Sequence, residues 1–368
     1  MRIEKISSSQ ASIMIIIFVL GTSLALTGYS VALQDTWISI SLALIFATPM
    51  VIIYGSIVKK FPKMDLFQII EFLFGKILGK IIGILYTFYF LHLGSLCIRN
   101  VTEYIQVVSF PETPQYFTGL FMTLLVIYIL KSGLEVIARV SKFLLPLLIV
   151  ITLLTFVMAI PKAEIRNFLP VLGNGWGTVL NASFSPFAFP FGETVVFLTL
   201  LCNVSDIKKA NKIFLIGIYG GGIILLNVAL RNILILGFPN LASSNFPSYY
   251  AVSLIDIGNF IRGIELVVSI NLLVSGFIKI SVCLYGACMG ICRILNLEDY
   301  KWISAPLGLL MLSLSFILFE STMHMIEWTD IYKYYAFPFQ VIMPLIIFIV
   351  GMFKKSKIKT GDSSTSSE

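Results

Sequence analysis

A chain of 368 residues with 58% hydrophobic and only 12% charged side chains lies far below the roughly 25% charge typical of soluble domains. The charged residues cluster, which leaves apolar runs that meet the roughly 20 residues of helix a hydrocarbon core requires. No Ser/His/Asp constellation, Gly-rich phosphate loop or zinc spacing appears, and histidine occurs only as His92 and His324, so neither an enzyme nor a cofactor or metal site is expected.

Hydropathy divides the chain into about ten spans. They are Ser8–Leu33, Trp37–Val58, Ile81–Val108, Gln115–Leu130, Val140–Ile160, Trp176–Leu201, Ile213–Leu236, Gly263–Ile291, Ile303–Glu320 and Tyr332–Phe353. The first is too long for a signal peptide and lacks a convincing small-residue cleavage site, so it reads as a mature helix. Between the second and third spans, Asp65–Lys80 alternates apolar and charged residues at helical spacing, as in an amphipathic helix on the cytoplasmic surface. Gly217, Gly220, Gly221 and Gly222 in the seventh span suit close helix packing. Phe246–Phe260 reads as a short outer helix able to cap a cavity, and Cys288 and Cys292 read as packing residues on one face of the eighth span. Residues 1–353 are expected to form one transmembrane domain with halves near 1–160 and 161–353. The basic, then Ser/Thr-rich, tail 354–368 is expected to be disordered and cytoplasmic.

Lysine and arginine fix the expected orientation, because they are retained in cytoplasmic loops. With the N-terminus inside, nineteen of the 26 fall in inner segments, among them Lys59, Lys60, Lys208, Lys209 and Lys354, with Arg2 and Lys355 nearer the termini. Only Lys162, Arg166, Arg262 and Lys333 fall outside, and Arg99, Arg231 and Lys279 lie within spans. The net charge of +7 is therefore a signal of topology and gives no indication of nucleic-acid binding.

Two spans are interrupted at matching places. The first meets Gly21-Thr22-Ser23 and resumes from Leu24 to Gly28, while the sixth carries Pro186, Pro190 and Gly192 in its middle. Two prolines four residues apart each remove a backbone donor and clash with the preceding turn, so no regular helix is expected through Ala188–Gly192. Each break lies in the first helix of a five-span half. Five is odd, so the halves have opposite topology, the pattern of an inverted repeat with a site at the breaks.

An ionisable residue within a span is a functional hypothesis by default. Glu193 follows the second break directly, and either caps the inner half-helix Thr194–Leu201 or meets a ligand ammonium or proton. Asn271, Ser275 and Lys279 form one polar stripe on the eighth span. Arg99 and Glu103 are spaced to pair with each other on the third span. Arg231 shares a face with Asn227 on the seventh and is placed to snorkel toward the outer interface. Freed backbone groups at Gly21, Thr22 and Ser23 and at Phe189, Pro190 and Gly192 suit a zwitterion, amides for a carboxylate and carbonyls for an ammonium.

The Phe189-Pro190-Phe191-Gly192-Glu193 run, the broken first and sixth helices, and the opening Glu4-Lys5-Ile6-Ser7 with Gln10 resemble the spore germination permease family. These are the B subunits of nutrient germinant receptors, within the amino acid–polyamine–organocation superfamily. The resemblance implies an all-α integral membrane protein with a five-plus-five inverted repeat, in which Lys279 stands where other members hold sodium. It further implies a spore inner-membrane protein that binds a small nutrient, an amino acid, and works with a larger A subunit and a lipoprotein C subunit. The alternative is a proton- or sodium-coupled amino acid transporter.

Overall fold

The computed structural model describes residues 4–26, 32–255 and 265–354, and the regular structure within them is helical apart from one bridge between Ile6 and Val204. Gly28, residues 256–260 of the outer segment, Gly263 and the tail from 355 lie outside the described residues, as do Arg2 and Arg262.

The first span opens with α1 (Ser8–Leu20), whose start is set by a reciprocal cap. The Ser7 hydroxyl accepts from the Gln10 amide, and the Gln10 side chain accepts from the Ser7 N–H. Gly21, at φ +31, ends α1, and the span resumes as α2 (Ser23–Leu26). The second span is α3 (Thr36–Lys60). Next come α4 (Leu66–Phe74), capped reciprocally by Asp65 and Gln68, and α5 (Lys76–Tyr104). Gly75 at φ +80 separates them, so the amphipathic helix stops short of Lys80 and Lys76 already belongs to the third span. Glycine alone adopts that left-handed turn cheaply, and it overrides the apolar spacing that runs on to Lys80.

Helix α5 is followed by α6 (Gln115–Ser132) and α7 (Leu134–Ala159). After α7, α8 (Gly175–Pro186) leads into the sixth-span break, and then come α9 (Ala210–Ser243), the short α10 (Pro247–Ser253), α11 (Glu265–Leu295) and α12 (Tyr300–Ile317). The tenth span is α13 (Thr322–Phe337), a π turn at Pro338–Ile342, and α14 (Met343–Phe353). It begins ten residues earlier than hydropathy indicates, because Ser321 caps a polar first half by accepting from the His324 amide. Among the described residues eight helices are long and apolar enough to cross a membrane, and each coincides with an expected span. The two expected spans not among them are the interrupted first and sixth.

Helix α1 runs through the middle of the bundle, with Met14 to Leu20 all buried. It lies against α9, where Gly217, Gly220 and Gly221 face Ile15, Ile16 and Val19, and a methyl group on any of these glycines would collide. Small residues thus let two backbones approach closely, the packing device membrane helices use. At one end the N-terminal strap is tied down: Ile6 N–H donates to the Asn203 carbonyl at 3.0 Å and Tyr300 OH donates to Glu4 at 3.0 Å. Arg293 meets Asp65 at 3.2 Å nearby, and burial holds the Asp65 carboxyl above its ordinary range despite that guanidinium. At the other end α10 covers α2, with Ser248 Oγ donating to the Leu24 carbonyl at 2.5 Å.

Candidate functional site

The sixth-span break is built by its prolines. Beyond α8 the backbone passes through Phe187–Phe191, with Phe189 extended at φ −133 and joined to Pro190 by a cis peptide bond. It continues as 3₁₀ turns over Gly192–Thr199 and Leu201–Asn203, so the inner half-helix expected at Thr194–Leu201 is wound more tightly than an α-helix. Gly192 is required for space, since a Cβ there would strike the Gln340 carboxamide. The whole stretch from Phe191 to Leu201 is buried, which is the condition for irregular backbone at membrane depth.

Two residues from separate parts of the sequence meet at this break. Lys279 Nζ lies 2.5 Å from Glu193 Oε2, and both side chains are fully buried. The other carboxylate oxygen accepts from Tyr332 OH at 2.6 Å. The ammonium also sits 4.3 Å from the centre of the Phe189 ring and 5.2 Å from that of Phe18, over faces that attract cations. Removing two charges from water costs several kcal/mol each, and only close pairing with further hydrogen bonds offsets that cost. Glu193 accepts from side chains alone and caps no backbone amide, so the capping role read from its position is replaced by ion pairing.

The first break reaches the same place. A side chain on Gly21 would collide with the Lys279 stem and the Phe18 carbonyl, so the lysine crosses directly over the glycine. One turn earlier, Ser275 Oγ donates to the Gly21 carbonyl at 2.8 Å, which occupies one of the backbone acceptors expected to be free. Thr22 Oγ1 accepts from Asn100 at 3.4 Å, and Ser23 Oγ is buried without a partner. Asn271 turns away, donating to Thr152 on α7 at 3.2 Å and leaving its Oδ1 unpartnered. The structure therefore brings Gly21, Ser275, Lys279, Phe189 and Glu193 together and sets Asn271 apart from them.

Four residues that the sequence does not mark as site residues complete the network. Tyr332 OH lies 3.3 Å from Tyr89 OH, and Gln340 Nε2 donates to Tyr89 OH at 2.9 Å and to the Ala188 carbonyl at 2.8 Å. Tyr54 OH donates to the Gln340 carbonyl. The π turn of the tenth span is thereby stitched to the sixth-span break. A lone glutamine in the apolar run after Pro338 was the one available signal, whereas tyrosines are too common in membrane helices to stand out. Beside the network lies a cavity of about 40 Å³ between α5, the break and α13. Of the expected site residues only Phe189 and Glu193 line it.

Two other buried charges behave differently from each other. Arg99 pairs with Glu103 at 3.1 Å as its spacing indicates, and Glu103 also accepts from Gln115 and Thr322. Arg231 does not snorkel outward: it is 3% exposed and donates to Thr155, Asn232 and the Ser248 carbonyl. Asn227 makes no bond with it, and the Thr155 hydroxyl of α7 and the Ser248 carbonyl of α10 give the guanidinium an inward alternative to water. Cys288 and Cys292 are buried free thiols.

Comparison with known proteins follows the same lines. The model of a family described as spore germination protein matches residues 5–324. Spore germination protein KB of Bacillus subtilis (strain 168) is 28% identical over 358 residues, covering 96% of both chains. Putative spore germination protein YfkT of the same organism is 26% identical and covers 87% of both. Among solved structures, MHP1, a nucleobase-cation-symport-1 family transporter in a closed conformation with bromovinylhydantoin bound, gives a TM-score of 0.69 at 10% identity, over 94% of this chain and 78% of its own. MhsT in complex with L-phenylalanine gives 0.67 at 16% identity, over 95% of this chain and 89% of its own. At those identities the likeness shows the fold, an all-helical membrane transporter fold. The match across nearly the whole chain shows that this multi-pass membrane protein belongs to the spore germination protein family.

Proposed function

We propose that the chain is the permease-like B subunit of a nutrient germinant receptor, and that it binds a small amino acid where the first and sixth spans break. The observation that carries this reading is the fully buried Glu193–Lys279 pair, which touches both breaks at once. A zwitterion offers a matching ammonium and carboxylate, so it exchanges partners with the pair without leaving either charge unpaired in a low-dielectric site. Such an exchange biases an equilibrium between two packings, which is all a sensor needs. The bias would pass to a larger A subunit and a lipoprotein C subunit in the spore inner membrane. The distribution of lysine and arginine favours both termini on the spore-core side. A thermal-shift screen of the purified chain against the twenty amino acids tests the reading, which requires at least one stabilising ligand.

A second reading, coupled amino acid transport, is favoured by the fold shared with solved transporters. Uptake of labelled amino acid into vesicles containing this chain alone separates the two, since a sensor accumulates none.

A further inference from the structure

Helices α1 and α9 touch where Gly217, Gly220 and Gly221 meet Ile15, Ile16 and Val19, and toward their N-termini a groove of about 310 Å³ lies between them. Ser9, Ser12, Ile13 and Ile16 line it from α1. Lys209, Lys212, Ile213 and Ile216 line it from α9. Both sets repeat at i, i+3, i+4 and i+7, so each helix turns one face to the groove over about 10 Å. On both faces the first two positions are polar and the last two are isoleucine. The groove therefore grades from basic to apolar along its length, as a bilayer grades from headgroup to hydrocarbon. Its basic end is positive beyond the lysines. Neither α1 nor α9 has an acidic side chain in its first turn to offset the positive end of the helix. Asp206 holds Lys209 at 2.9 Å, while Lys212 makes no ion pair among the described residues.

We propose that this groove binds an anionic phospholipid, its phosphate at Lys209 and Lys212 and its acyl chain against the four isoleucines. Basic pockets between membrane helices hold anionic headgroups in this way. A free phosphate would occupy the basic end and leave the isoleucine floor uncovered, which forgoes the apolar contact. A neutral lipid would cover the floor and leave the lysines and both helix ends without a counter-charge. Only a ligand with both parts matches the whole groove. The site also has a place in the fold. Helix α1 runs from the groove to Gly21, beneath the Lys279 stem, so a lipid held here bears on the helix that ends at the first break.

The test is native mass spectrometry of the purified full-length chain in detergent, titrated with phosphatidylglycerol or phosphatidylcholine. Wild type is expected to retain phosphatidylglycerol in preference to phosphatidylcholine. A variant carrying Lys209→Gln and Lys212→Gln is expected to bind phosphatidylglycerol about tenfold or more weakly. Lys76→Gln with Lys80→Gln removes the same charge from α5 and is expected to bind like wild type. Equal retention of the two lipids overturns the site and leaves ordinary boundary lipid. Equal weakening by the α5 pair overturns it in favour of diffuse charge, and displacement of the lipid by inorganic phosphate overturns it in favour of a free anion. Should the α9 variant fail to fold, photolabelling of wild type by a diazirine-bearing phosphatidylglycerol decides. Adducts are expected near Ile13 and Ile213 and are expected to disappear under excess unlabelled phosphatidylglycerol, whereas adducts confined to other helices overturn the site.

Discussion

Lys279 reaches Glu193 by passing over Gly21: its ammonium lies 2.5 Å from the carboxylate, and its stem fills the space a side chain at Gly21 would need. One contact therefore joins the eighth span to both broken spans. Neither charge has another ionised partner among the described residues, so any change that separates them leaves both stranded.

Single and double neutralisation should differ accordingly. Lys279→Met or Glu193→Gln alone leaves one buried charge unpaired and is expected to destabilise the protein by about 3–5 kcal/mol. The double variant removes both charges and is expected to melt close to wild type while still failing to respond to nutrient. A double-mutant cycle from thermal melts in detergent reads the coupling directly. Purely additive losses would mean that the two groups do not act as a pair.

Gly21→Ala adds one methyl group where φ is +31 and the lysine stem is in contact. Residues held in such backbone regions cost about 1–3 kcal/mol, and here the collision adds to that. A lowered melting temperature together with a weakened nutrient response is expected. An alanine variant that melts and responds like wild type would show that the Lys279 stem yields freely.

Arg231 makes a different prediction. It is a buried cation with no carboxylate in salt-bridge range among the described residues, held by hydroxyl, amide and carbonyl groups. A buried guanidinium with no carboxylate partner carries an uncompensated desolvation cost, which an apolar side chain of similar volume removes. Arg231→Met is thus expected to melt no lower than wild type. It also loses a contact to α10, so maleimide should label an Ala251→Cys reporter faster. Lower stability with unchanged labelling would contradict this.

Much of the architecture was legible because it rests on local signals. Apolar run lengths located the spans, Pro186, Pro190 and Gly192 marked the break, and the glycines of the seventh span announced a close approach that α1 fills. The Arg99–Glu103 pair was legible because both residues sit on one helix. What lay between spans was not. Nothing in the spacing of Glu193 and Lys279 says that their helices face each other, and nothing in the seventh span says which way Arg231 turns. Gly75 and Ser321 moved two helix starts because a turn or a cap acts on backbone geometry, to which hydropathy is blind.

Cysteine accessibility checks the topology on which the positive-residue argument depends. Reporters at Lys60 and Lys208 are expected to react from the inner face only, and reporters at Pro111 and Ser244 from the outer face only. Lys60 and Lys208 on opposite faces would remove the alternation that sets both termini inside.

If the Glu193 carboxylate takes part in nutrient recognition, neutralising it must move the germination dose–response curve. Spores carrying Glu193→Gln in an otherwise receptor-deficient strain, with protein level matched by blot, would be compared with wild type. A charge-assisted contact contributes roughly 1.5–3 kcal/mol, so the half-maximal nutrient concentration is expected to rise by about one to two orders of magnitude. A Gln variant whose curve overlies wild type across the whole range would exclude the Glu193 charge from recognition.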